Sequence, residues 1–93
     1  MLSILPVTPN DVIESLKTNL KKKRKALGYT QTELASRSGV SLGSLKRFEQ
    51  TGKISLESLL QLAFVLECLD EFKEICVKKE EQYSSIEEII DGK

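Results

Sequence analysis

The chain has 93 residues, 40% hydrophobic and 30% charged, the size and mix of one ordinary globular domain. Its formal net charge is zero, but residues 15–53 hold ten basic side chains against two acids, a net +8, while residues 1–14 carry −2 and residues 54–93 carry −6; that segregation fits a polyanionic partner. With no His and only Cys68 and Cys76 as thiols, the commonest general base and a structural zinc ligand set are both missing, so no catalytic residue, metal or cofactor is expected.

Thr8-Pro9-Asn10-Asp11 reads as a helix start, with Thr8 as N-cap, Pro9 at the first helical position and an acid in the first turn. Val12, Ile13, Leu16, Leu20 and Leu27 then recur at helical spacing until Gly28, predicting a long first helix. Thr30-Gln31-Thr32-Glu33 is a capping box for a second, short helix that ends at Gly39, where the turn calls for positive φ. Ser41 caps a third helix carrying Leu45 and Phe48 and stopping near Gly52. Ser55 caps a fourth, apolar on most sides and so expected at the centre of the core. A fifth is expected at about Asp70–Val77, with Phe72 and Ile75 on one face, either completing the core or contacting a second copy. Nothing alternates with period two, so the fold is expected to be all-α.

The expected core is Leu16, Leu20, Leu27, Leu34, Ala35, Val40, Leu45, Phe48, Leu56, Leu59, Leu60, Ala63 and Leu66. Residues 1–8 read as a leader, either disordered or an arm on a partner; residues 9–77 read as the domain. Residues 78–93 form a polar, acidic tail, with one weak turn at Ser85-Ile86-Glu87-Glu88. The tail is either simple solvation or a segment that binds a partner or competes with DNA. Met1–Val7 is too short and too poor in basic residues for a signal peptide, and the longest apolar run, Leu62–Leu66, is far short of a membrane span. A cytoplasmic, nucleoid-associated protein with reduced thiols and no membrane partner is therefore expected.

Gln31–Gln50 concentrates the signal. Ala35 lies where two short helices cross, Gly39 turns the chain, and Val40, Leu45 and Phe48 fix the third helix to the core. Its opposite face then presents Leu42, Gly43, Lys46 and Arg47, with Ser41 and Ser44 near the backbone, a surface suited to the major groove of DNA. Lys22 and Lys53 join that DNA surface. In the Lys21–Lys25 run, two or three side chains are expected to reach phosphate and the rest to be solvated.

The stretch from about Leu20 to Leu69 resembles the XRE-type helix-turn-helix family of phage repressor and Cro-like domains. It shares the spacing of Gln31, Glu33, Leu34, Ala35, Gly39, Val40, Leu45 and Glu49. The resemblance implies a five-helix lambda-repressor-like fold, a homodimer on double-stranded operator DNA, and a regulator, most simply a repressor. It also implies that Gln31 contacts phosphate and braces the recognition helix, that Leu42, Gly43, Lys46 and Arg47 read bases, and that Arg24 pairs with Glu49. The other reading of Arg24 is a plain surface arginine. Phage repressors often carry glutamines where this chain has Gly43 and its neighbours, so shape readout gains weight here. The wording A-L-G-Y-T-Q-T-E-L-A and S-L-G-S-L-K-R-F-E-Q-T-G-K-I-S-L-E-S-L-L resembles HipB-type antitoxins. That implies an autoregulating antitoxin with a HipA-like kinase toxin as partner. The rival to a DNA-binding regulator is then a protein-interaction module that mainly holds such a toxin.

Overall fold

Every helix but the last begins where a hydroxyl side chain takes over a free backbone N–H. In the computed structural model, which describes residues 6–77, five helices follow in order. They are α1 (Pro9–Ala26), α2 (Gln31–Ser38), α3 (Leu42–Thr51), α4 (Leu56–Val65) and α5 (Leu69–Lys73). Thr8 and Asp11 close a reciprocal capping box on α1, with Pro9 in the first turn, and Thr30 and Glu33 do the same on α2. Ser41 and Ser55 accept the N–H groups of Ser44 and Ser58 to cap α3 and α4. At the other end of α2 stands Gly39 at φ 77°, in the left-handed region that a residue with a Cβ rarely adopts.

α3 packs on both α1 and α2, α4 lies under α2, and α5 leans on α4. The seam between them buries Leu20, Leu34, Ala35, Val40, Leu45, Phe48, Leu59, Leu62, Ala63 and Leu66. These short helices are marginal alone, so this shared core supplies most of their stability.

Three expectations need correction. Leu56 is 69% exposed rather than in the core, because the first turn of α4 points it outward, and Leu62, absent from the expected core, is fully enclosed. α4 is therefore not surrounded: Phe64 is 70% exposed as well. α5 is shorter than the expected Asp70–Val77 and starts one residue earlier. It has no side-chain cap, and beyond Lys73 the N–H groups of Glu74, Ile75 and Val77 each bond the carbonyl three residues back. Cys76 at φ 70° then turns the chain off the helix axis. Phe72 and Ile75 do share one face, turned towards α1, where Phe72 packs on the core and Ile75 stays 61% exposed. The leader residues Met1–Leu5, the tail 78–93 and its turn at Ser85–Glu88 lie outside the described residues.

Candidate nucleic-acid interface

α2 and α3 are joined by only Gly39, Val40 and Ser41. Val40 is buried and anchors this link, while the left-handed Gly39 lets the chain reverse sharply enough for α3 to lie across α2. With Leu45 and Phe48 turned inward, the helical period turns Gly43, Ser44, Lys46, Arg47 and Gln50 outward, and all five are exposed. Ser41 Oγ accepts the Ser44 N–H at 3.1 Å and donates to Ser44 Oγ at 2.8 Å, fixing the leading end of α3. Around Gly43 there is open space: a Cβ built there meets no atom within 4 Å. Leu42 differs from its expected outward position. It is half-buried and packs against the core, so only part of its side chain faces out.

The inward side of α3 ends in a buried charge network. Arg24 Nε donates to Glu49 Oε2 at 2.7 Å and Arg24 Nη2 donates to Glu49 Oε1 at 3.0 Å. Arg24 Nη1 donates to the Tyr29 carbonyl at 2.9 Å, and Gln31 Nε2 donates to Glu49 Oε1 at 2.8 Å. One carboxylate thus ties α1, the turn after it, α2 and α3 together. Burial raises the Glu49 pKa, but the hydrogen bonds from Arg24 and Gln31 and the Arg24 charge outweigh burial and hold it below its ordinary 4.5. Among the described residues, no buried side-chain nitrogen or oxygen lacks a partner. Gln31 spends its amide N–H on this network, which holds the first turn of α2 against the last turn of α3.

Along the side of α3 that faces the N-terminus of α4, Ser44, Arg47, Lys53, Ile54, Ser55 and Ser58 line a cleft of about 250 Å³. Ser44, Arg47 and Lys53 are thereby brought together, and Thr51 Oγ1, bonded to the Arg47 carbonyl at 2.7 Å, accepts the Lys53 N–H at 3.1 Å and shapes the link. The cleft collects two cations, three hydroxyls and the free N–H end of a helix, a donor set suited to phosphate oxygen. Ser55 and Ser58 were not among the residues expected here. Their signal was the S-x-x-S spacing just after Lys53, which reads only as a cap until the fold sets it beside Arg47. Lys22 is exposed on α1 and does not line this cleft.

No group of ligating side chains placed for a metal ion occurs among the described residues, and no helix there is long and apolar enough to cross a membrane. In comparison with protein families, residues 20–68, just over half the chain, match the model of the family described as Helix-turn-helix. No curated protein and no solved structure matches the chain.

Proposed function

The chain belongs to the XRE-type helix-turn-helix family of DNA-binding regulators, with a lambda-repressor-like fold, and from that premise we propose a repressor that reads a two-half-site operator as a homodimer. The observation that carries this is the outer face of α3. Lys46 and Arg47 stand free on a helix whose other side is fixed by Leu45, Phe48 and Glu49. Entered into the major groove, Arg47 reaches a guanine edge and Lys46 a base edge or a phosphate. Gly43 lets the backbone approach closely, the outward part of Leu42 meets a thymine methyl, and Ser41 and Ser44 face the sugar-phosphate chain. The Lys53, Ser55 and Ser58 side of the cleft takes a phosphate, and Lys22 adds a further one from α1. Gln31 braces α3 through Glu49. The DNA-binding unit is residues 9–77, with residues 1–8 as leader and 78–93 as tail, acting on the nucleoid in the cytoplasm.

Two protomers on adjacent half-sites sit about one helical turn, roughly 34–36 Å, apart. The test is retention of genomic fragments by the purified protein across a salt series. Affinity falls on the order of tenfold or more between 50 and 200 mM salt if a few phosphates are neutralised. No retained fragment at low salt with the protein folded sinks the reading.

A second role is supported by α4. Leu56 and Phe64, two turns apart on that helix, are both largely exposed. This apolar surface suits a protein partner, and it supports an autoregulating antitoxin that holds a HipA-like kinase toxin while α3 keeps the operator. Co-purification with the product of an adjoining reading frame, lost in Phe64→Asp, tests it.

A further inference from the structure

Between α1 and α5 runs an open groove of about 370 Å³. Leu16, Leu20, Phe72, Ile75 and Cys68 give it an apolar lining, Lys23 borders it on the α1 side, and Glu71 borders it on the α5 side. It is separate from the outer face of α3, whose Lys46 and Arg47 take no part in it. An apolar groove of this kind, with Ile75 more than half exposed beside it, is an unsatisfied surface.

The chain itself carries a segment that fits. Beyond Val77, the sequence reaches Ile86-Glu87-Glu88-Ile89-Ile90-Asp91. Ile86, Ile89 and Ile90 have the i, i+3, i+4 spacing of one apolar helix face, with acids at the positions between and after. So short a stretch forms no stable helix in water by itself and gains structure only by burying that face. We propose that the α1–α5 groove is the seat of this chain's own segment Ile86–Asp91, with the isoleucines against Leu16, Phe72 and Ile75 and the acids towards Lys23.

Three observations favour this occupant. Described structure ends at Val77, two residues past Ile75, so the segment is tethered at the mouth of the groove. Residues 78–85 intervene, and at roughly 3.3–3.6 Å per extended residue they span close to 30 Å, ample for a return. A tether of that length holds the segment at an effective concentration of about millimolar, so a weak contact suffices. Finally, the sequence places Glu87, Glu88 and Asp91 around the three isoleucines, opposite in charge to Lys23 on the α1 border, while Glu71 lies on the other border. Nothing here depends on DNA binding.

Cys68 lines the groove and serves as the reporter. In the full chain carrying Cys76→Ser, the alkylation rate of Cys68 is compared with and without Ile86→Asp, Ile89→Asp and Ile90→Asp. Seating predicts a rate about tenfold higher in the triple variant with an unchanged helical circular dichroism spectrum; equal rates overturn the proposal. A spin label at Ser84→Cys, in a chain with Cys68→Ser and Cys76→Ser, gives a second reading that needs no tail variant. Broadening of the Leu16 and Ile75 methyl signals within one chain supports it. Absence of broadening, or broadening that arises only between labelled and isotope-enriched copies, overturns it, the latter by assigning the groove to a partner's tail.

Discussion

Arg24 and Glu49, 25 residues apart in the chain, meet in two parallel hydrogen bonds of 2.7 and 3.0 Å with almost no access to water. Two further donors share the pair: the arginine reaches the Tyr29 carbonyl and the carboxylate takes the Gln31 amide. A single acid on α3 is therefore the meeting point of three helices, and the angle of α3 depends on it.

Breaking that pair strands a buried charge. Glu49→Ala or Arg24→Ala is expected to cost ~3–5 kcal/mol, whereas the double replacement Arg24→Met with Glu49→Leu recovers a large part of it. Urea midpoints for the two singles and the double give the coupling. A coupling energy indistinguishable from zero would contradict the buried geometry.

The same carboxylate sets an acid limit on stability. Its folded pKa lies below the ordinary 4.5, so between those values the unfolded state binds more protons. Its contribution is complete above pH 4.5 and is lost as pH falls through the folded value. Glu33 shifts the same way, held down by the Thr30 backbone and hydroxyl in the α2 capping box. Unfolding midpoints measured down the acid range should fall more steeply for the native chain than for Glu49→Gln, which lacks the Glu49 share and keeps that of Glu33. Parallel curves for the two proteins remove Glu49 from the acid transition.

Lys46→Ala and Arg47→Ala leave stability within about 0.5 kcal/mol, since both side chains are exposed. If the outer face of α3 reads bases, the better reader loses ~1–3 kcal/mol of discrimination at one operator position. Lys22→Ala instead weakens all sequences alike and reduces the salt slope by about 1. Competition binding against single-base operator variants separates the two behaviours; an Arg47→Ala protein with unchanged preferences takes Arg47 off the reading surface.

Gly43→Ala is expected to move stability and DNA affinity in opposite directions. An added Cβ meets nothing in the free protein, and Ala gains about 0.5–1 kcal/mol over Gly within a helix. Against a groove that approaches the backbone, the same methyl lowers operator affinity by about tenfold, or 1.4 kcal/mol. A raised melting temperature with unaltered operator affinity places Gly43 outside the contact.

Local chemistry was the legible part of the sequence. Thr8, Thr30, Ser41 and Ser55 cap because a hydroxyl before an apolar run has a nearby donor to satisfy, and Gly39 turns because no Cβ opposes it. In α4, apolar residues on most sides erased the period, so nothing in the sequence told outward Leu56 from enclosed Leu62. The end of α5 was hidden for another reason: no capping residue marks it, and the turn at Cys76 depends on backbone geometry. At the site, spacing identifies which α3 side chains face out. That the Gln31 amide goes to Glu49, or that Ser58 joins Arg47 in one cleft, follows only from three-dimensional proximity.

The trailing turn of α3 is held as firmly as its front. Lys17 Nζ donates to the Gln50 carbonyl at 3.4 Å while pairing with Glu14 at 2.9 Å, and the Ile13 side chain sits where a Cβ on Gly52 (φ 81°) would have to go. A ten-residue helix in isolation is mostly coil, yet this one is pinned by Ser41 at its start, Glu49 on its flank and α1 at its end. Its shape therefore exists before any ligand arrives. Association then needs no folding of the α3 backbone, and the ordering cost from α3 is confined to exposed side chains such as Lys46 and Arg47. Calorimetry would then see α3 as a preformed element, with no heat-capacity share from folding that helix.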